Sequence, residues 1–296
     1  MTAILEMIDV GKRYRRNWAL QDCTLSIPKG RVVGLVGPNG AGKTTLLDLA
    51  VGMLRPTAGQ VRVFGHAPRS PHVRARLGYV AQDKPLYRNF TVAETLKLGR
   101  RLNPGWDQES AEERLQRVGV PLEKRVGHLS GGQRAQVALA LALGRRPELL
   151  LLDEPVVDLD PLARQEFMRA LMSEVEMSGL GVVLSSHVVS ELDQLCDHLV
   201  LLSASRVQLA GDIEPLLDAH RLLQGPRENS PKIGPHTVIS SSHTDRQTTL
   251  LVRLNGPLLD PAWQALPVGL EQLVLAYMSQ NSGPATRLAL ADGGTS

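Results

Sequence analysis

The 296-residue chain has only two cysteines, and aromatic residues make up just 3% of it. Cys23 and Cys196 lie far apart without metal-ligand spacing, so no zinc site or disulfide framework is expected and a reducing cytosolic compartment fits best. Scarce aromatics leave little surface for base stacking. The 33 Lys+Arg nearly cancel the 30 Asp+Glu, so a nucleic-acid partner is not expected. The densest basic stretch, "GKRYRR", reads as a solvated edge. Long apolar runs are absent too. None reaches the roughly 18 residues a membrane span needs, and the nearest, "VALALALG" and "LLLLDEPVV", are separated by "RRPE". The opening "MTAILEMIDVGKRY" lacks a basic start ahead of an apolar core, so no signal peptide is expected. Work at a membrane would run through a partner.

The apolar residues that are present sit in short, ordered blocks. "AILEMIDVGKRY", "ALQDCTLSIPKG" and "GQVRVFGH" alternate as strands do, whereas "GRVVGLVG" is a continuous apolar strand leading through glycines into the helix "KTTLLDLAVGML". "LGYVAQ" is a further strand ending at Gln82. Helical periodicity then runs from "TVAETLKLGRRL" to "VALALALG", broken at Pro104–Gly105 and at Gly119–Pro121. Beyond it, "ELLLLDEP", "PLARQEFMRALMSEVEMSG", "GVVLSSH", "SELDQLCDHL" and "LVLLSASRVQLAG" alternate strand and helix. That order predicts an α/β fold with a mostly parallel sheet covered on both faces, and the central helical stretch reads as an insertion. After about residue 221, "QGPRENSPKIGPHTVISSSHTDRQ" is polar and rich in Pro, Gly and Ser, and reads as a linker or loose loop. "TLLVRL" then reads as a strand, "GLEQLVLAYMSQ" as an amphipathic helix, and "ALADGGTS" as a fraying end.

"GPNGAGKTT" supplies the first chemistry. Gly37, Pro38, Asn39, Gly40, Ala41, Gly42, Lys43 and Thr44 match the phosphate-loop pattern between an apolar strand and a helix, with Thr45 following. Backbone N–H groups of such a turn converge on an anion, and the helix start adds about half a positive charge. Lys43 reaches the outer phosphates, and Thr44 offers a hydroxyl to magnesium. The buried strand of "ELLLLDEP" places Asp153 and Glu154 at a sheet's carboxyl edge, where ligands bind in such folds. Asp153 is the expected magnesium carboxylate. Glu154 is the expected base that orients attacking water, although an Asp–Glu pair alone would more often cap the next helix. His187, closing "GVVLSSH", is placed either to meet a γ-phosphate or simply to start a helix that Ser186 caps.

"HLSGGQRAQVALALALG" repeats the layout of a phosphate-binding helix start. Ser130 and Gln133 form an S-x-x-Q capping box, and Gly131 and Gly132 leave backbone N–H groups open to an anion. Because Gly37 to Thr44 already cradle the chain's own nucleotide, the second start is expected to serve a partner's ATP. Two chains would then close around two nucleotides.

In this order, "GPNGAGKTT", "YVAQ", "LSGGQ", "LLLLDEP", "VDLD" and "SSH" resemble the ATP-binding subunits of ABC transporters, from residue 1 to about 220. The resemblance implies a P-loop NTPase core, an antiparallel β subdomain and an inserted α-helical subdomain at about 83–145, with 221–296 as an accessory region. It implies ATP and Mg2+ as cofactors, ATPase activity, a homodimeric second cassette and an integral membrane partner at the cytoplasmic face. Gln82 would touch magnesium and sense that partner, Asp160 would close the D-loop, and Glu154 and His187 would be catalytic. Tyr14 stands where an aromatic stacks on adenine, with Trp18 as the weaker substitute. Val156 and Asp158 depart from the usual pattern, and Asp158 adds a negative charge beside the dimer contact. The short segment between Gln82 and Ser130 and the closing "SSHVVSELDQLCDHLVLLSASRVQLAG" look like bacterial drug or antibiotic exporters. An importer subunit and a soluble cassette acting on ribosomes or DNA are the alternatives. The single "LSGGQ", and the absence of zinc modules or long coiled coils, weigh against the second.

Overall fold

In the computed structural model, which describes residues 3–227, 235–256 and 263–280, the chain divides into two compact units, with the boundary in sequence after Ile213. The first contains β1 (Ala3–Tyr14), β2 (Asn17–Pro28), β3 (Val32–Val36), α1 (Lys43–Ala50), β4 (Ala58–Val63), α2 (Pro71–Arg76) and β5 (Leu77–Val80). The helices α3 (Val92–Leu102), α4 (Gln108–Arg117) and α5 (Gly131–Leu143) follow. Then come β6 (Leu149–Leu152), α6 (Pro161–Ser178), β7 (Gly181–Ser186), β8 (His198–Ser203) and β9 (Arg206–Asp212).

Two sheets organise this unit. β2, β1 and β4 form a three-stranded antiparallel sheet, and a six-stranded sheet runs β5-β6-β7-β3-β8-β9. In the second sheet every pairing is parallel except the β8–β9 hairpin at its edge. The strands β3, β6 and β7 are buried at every position, which is why β3, β6 and the first four residues of β7 read as apolar runs rather than alternating ones. Leu5, Met7 and Leu20 of the antiparallel sheet share one core with Leu35, Leu151 and Val183 of the parallel sheet and with Leu46, Leu47 and Leu49 of α1. Each fully buried leucine is worth about 1.5–3 kcal/mol. The helix that begins at Lys43 is therefore held firmly by three of them. This is the P-loop NTPase architecture, with its β subdomain and helical part.

The helices α3, α4 and α5 build a separate core from Val92, Leu96, Leu115, Val126 and Val137. Thr91 and Glu94 cap α3 reciprocally, and Asp107 caps α4. The sequence stretch "SELDQLCDHL", expected as a helix, forms only a single 3-10 turn at Val189–Glu191 followed by further turns. Packing decides this. Leu192 is fully buried and, with Cys196, covers the open face of Gly34 in β3, an arrangement reached through tight turns at Leu192, Leu195 and Cys196.

The boundary falls within the first turn of α7 (Ile213–Asp218), and past it lie β10 (His220–Pro226), β11 (Thr237–His243), β12 (Gln247–Arg253), β13 (Gln264–Leu266) and α8 (Leu270–Gln280). The four strands form an antiparallel sheet in the order β11-β12-β10-β13. The segment expected as a loose linker is thus partly a strand. "TVISSSH" pairs along β12 through backbone hydrogen bonds that its serines do not disturb, and "HRLLQGP" pairs beside it. Leu223, Leu250, Val252 and Trp263 fill the core of this unit. The expected fraying end "ALADGGTS" lies outside the described residues.

Candidate functional site

The glycine loop joins the end of β3 at Val36 to the start of α1 at Lys43. Gly42, the residue ahead of the helix, sits at φ 107°, and a Cβ there would lie 2.4 Å from the Ala19 carbonyl oxygen. Only glycine permits both the left-handed backbone and the close passage of β2. Pro38, Asn39 and Gly40 are exposed at the crest, with a turn closed by Ala41 N–H donating to Pro38 O. Thr44 is exposed and Thr45 half-buried on the first turn of α1.

Lys43 folds back under this loop. Its Nζ donates to Gly37 O at 2.8 Å and to Pro38 O at 3.4 Å, and lies 3.1 Å from Glu154 Oε1. Glu154 in turn places Oε2 3.3 Å from His187 Nδ1. Asp153, 1% exposed, follows the last residue of β6, and its Oδ1 accepts from the Ser185 hydroxyl at 2.8 Å. Among the described residues Asp153 Oδ2 is buried without a hydrogen-bond partner. A buried, unpartnered carboxylate oxygen beside a phosphate loop has the chemistry of a hard divalent-cation ligand, so the residues present fit magnesium.

Glu154 stands at φ 42°, a left-handed conformation that costs a non-glycine residue about 1–3 kcal/mol. Its amide, turned out of the strand ladder, donates to Ser185 Oγ at 2.8 Å. The twist carries the carboxylate away from β6 and between Lys43 and His187. Beside it, Glu154, Val156, Val157, Ser185, Ser186 and His187 are among the residues around a cavity of about 40 Å³, room enough for a water molecule. His187 follows β7 directly, and Ser186 Oγ accepts from the Val188 amide in a tight turn. No long helix begins there.

The second glycine motif is built as its residue types require. Ser130 Oγ accepts from Gln133 N–H, and Gln133 Oε1 accepts from Ser130 N–H, both at 3.2 Å, so the capping box closes. The glycines have another reason to be there. A Cβ at Gly132 would meet Ala163 Cβ of α6 at 2.7 Å, and Gly131 lies against the Asp158 carbonyl and Leu159. Small residues let the start of α5 approach Asp158, Leu159 and α6 within one chain. Asp160 caps α6 by accepting from Ala163 N–H at 3.0 Å. Exposed Asp158 sits in the electrostatic field of Lys84, whose ammonium is pushed below its usual range by burial, with Asp158 opposing that shift.

The remaining expected residues stand apart from the Lys43–Glu154–His187 network. Gln82 is exposed two residues past β5, its carbonyl accepting from Lys84 Nζ. Tyr14, 48% exposed, ends β1 with Lys12 Nζ 5.3 Å from its ring centre. Trp18 is packed down on Gly11 and carries the Arg13 guanidinium 5.4 Å from its ring. Sequence reasoning missed Ser185 altogether. Its only signal was a hydroxyl at a fully buried position near the end of an apolar strand. It missed the Asp48–Tyr79 hydrogen bond of 3.3 Å as well, where burial pushes both groups up.

A phosphate loop, a buried carboxylate and a turned glutamate at the carboxyl ends of parallel strands define a P-loop nucleoside-triphosphatase. The family model described as ABC transporter matches residues 20–157. The lipopolysaccharide export system ATP-binding protein LptB of Acidithiobacillus ferridurans is 34% identical over 74% of this chain and 94% of its own length. The bacitracin transport ATP-binding protein BcrA of Bacillus licheniformis is 31% identical over 70% of this chain and 69% of its own. The sulfate/thiosulfate import ATP-binding protein CysA of Mesorhizobium japonicum is 35% identical over 72% and 65%. Among solved structures, cbiO1 of Clostridium perfringens, part of the ABC transporter complex cbiONQ, superposes with a TM-score of 0.64 at 26% identity, covering 74% of this chain and 92% of that one. A bacterial ABC transporter cassette, MJ0796, solved as a dimer, gives 0.63 at 25% identity over 71% and 98%. The chain belongs to the ATP-binding subunits of ABC transporters and is an ATPase of that family. No helix among the described residues is long and apolar enough to cross a membrane.

Proposed function

We propose that the chain powers export. In this reading it is a peripheral subunit at the cytoplasmic face of the cell membrane, bound to a separate integral membrane subunit and closing with a second identical cassette around two ATP–magnesium complexes. The nucleotide-binding role falls to residues 1–220, with 83–145 as the helical subdomain and 221–296 as an accessory region. The observation that carries it is the convergence of Lys43, Asp153, Glu154 and His187 at one sheet edge, while the glycine-rich start of α5 is built on different elements.

Lys43 and the backbone N–H groups of the Gly37–Thr45 loop, Pro38 having none, hold the β- and γ-phosphates, and Tyr14 stacks on adenine. Thr44, Gln82 and Asp153 hold magnesium, which when bound neutralises charge developing on the transferred phosphoryl group. Glu154 orients and deprotonates water, and His187 steadies both Glu154 and the γ-phosphate. Ser130, Gly131, Gly132 and Gln133 meet the partner's ATP, next to Asp160. Export is favoured by the match to LptB, which spans nearly the whole of that export protein, whereas a third of CysA has no counterpart here.

Affinity capture of the tagged chain from solubilised membranes tests the reading. A stoichiometric multi-span membrane protein supports it, and capture with ribosomes or DNA instead overturns it. In inside-out vesicles carrying the complex, external ATP should drive accumulation of the transported molecule in the lumen. Release of preloaded molecule would mark an importer.

A further inference from the structure

One hydroxyl in the site serves two partners. Ser185 is 1% exposed in β7, one residue beyond the Leu152–Leu184 pairing of β6 with β7. A serine hydroxyl has one proton to donate and lone pairs to accept. Ser185 Oγ gives its proton to Asp153 Oδ1 at 2.8 Å and accepts the Glu154 amide at 2.8 Å. It thereby joins the end of one strand to the two consecutive acidic residues that leave the other.

We propose that Ser185 is a positioning residue for the ATPase reaction. It holds the Asp153 carboxylate so that Oδ2 faces the cation, and it holds the left-handed Glu154 backbone that swings the Glu154 carboxylate toward Lys43 and His187. The inference rests on the roles given above to Asp153 and Glu154. The geometry behind it is independent of them. Oδ1 is engaged while Oδ2 is buried and unpartnered, so the carboxylate is presented with one oxygen committed and one open. The amide that Ser185 captures belongs to the one residue of the "LDEP" turn at positive φ. Without the hydroxyl, Asp153 Oδ1 and the Glu154 amide both lose the hydrogen-bond partner they have in this structure. Neither the carboxylate rotamer nor the turn is then fixed. An outer-shell hydrogen bond of this kind typically changes metal affinity or activity 10–100-fold.

The test uses the full chain with Ser185→Ala, Ser185→Cys and Ser185→Thr, compared in two measurements. The first is binding of a fluorescent ATP analogue with magnesium and with EDTA, and the second is steady-state turnover. For Ser185→Ala, affinity in EDTA should stay within about twofold of wild type. The gain in affinity on adding magnesium should shrink about tenfold, and turnover should fall about 10–100-fold. Ser185→Thr, which keeps the hydroxyl, should restore both. A serine that merely fills space would leave the magnesium-dependent gain where it is. Wild-type magnesium gain and turnover in Ser185→Ala overturn the inference. Should the Ala protein unfold at assay temperature, Ser185→Cys keeps the volume with a weaker donor, and wild-type behaviour there overturns it equally. Asp153→Asn and Glu154→Gln run alongside as controls. If they hydrolyse ATP normally, the site assignment has failed. If they are inactive while Ser185→Ala is normal, only the role of Ser185 has failed.

Discussion

Lys43 Nζ and Glu154 Oε1 lie 3.1 Å apart, with side chains only 5% and 11% exposed. The proposed phosphate-binding cation and the proposed base are thus each other's counter-ion in this structure. Removing one member of a buried pair leaves an uncompensated charge, at a cost of about 3–5 kcal/mol. Lys43→Ala should therefore lower the thermal midpoint as well as weaken ATP binding by at least about tenfold. Binding titration and thermal unfolding of the same preparation check both. Unchanged stability would mean the pair is not maintained in solution.

The glycines of the second motif carry two separable demands. Gly132→Ala pushes a Cβ into Ala163 of α6, and overpacking of this kind costs about 1–3 kcal/mol. The variant should unfold several degrees earlier while ATP affinity of the monomer is unchanged. An undisturbed midpoint would show that α5 and α6 do not touch as described.

Ser130→Arg places a bulky cation where the partner's phosphate is proposed to sit. It should spare ATP binding by the isolated chain and lower turnover by at least about 100-fold, beyond the roughly 1 kcal/mol expected for loss of a helix cap. ATP binding lost in the monomer would place Ser130 in the chain's own site instead.

The second unit has its own pH dependence. His220 is buried, its Nδ1–H donates to Leu216 O at 2.7 Å, and its Nε2 accepts from the Tyr277 hydroxyl at 2.9 Å. Burial pushes the imidazole below its ordinary 6.5, with Arg253 adding to the shift and the Leu216 bond opposing it. The fold favours the neutral ring, so its contribution is complete above pH 6.5 and is lost as pH falls through that value toward the folded-state one. Thermal unfolding at pH 8 and pH 5 should therefore show a larger drop for wild type than for His220→Gln. Equal drops would remove His220 from the pH response.

What was legible in the sequence is what depends on neighbours along the chain. Glycine spacing around Lys43, the three-residue span of the Ser130–Gln133 box and the leucines of β6 all declare themselves locally. The parallel core follows from them. Ser185 was not legible because its partners follow β6, 31 and 32 positions earlier, and only the strand pairing aligns them. β11 was hidden for a similar reason. Its serines and threonine carry no apolar alternation, and its pairing with β12 is made by backbone. "SELDQLC" has helical spacing, yet packing of Leu192 and Cys196 against Gly34 bends it into turns. Gly131 and Gly132 were read for the anion they leave open, whereas the structure adds a packing demand from α6 that sequence spacing does not contain.

The central claim, an ATPase that closes as a pair of chains using Glu154 as its base, is tested most directly by Glu154→Gln in gel filtration with and without ATP. The amide keeps the side chain's volume and removes its basicity. The account predicts intact ATP binding, turnover reduced by at least about 100-fold, and elution as a dimer with ATP but a monomer without it. Normal hydrolysis by Glu154→Gln, with elution that ignores ATP, would contradict it.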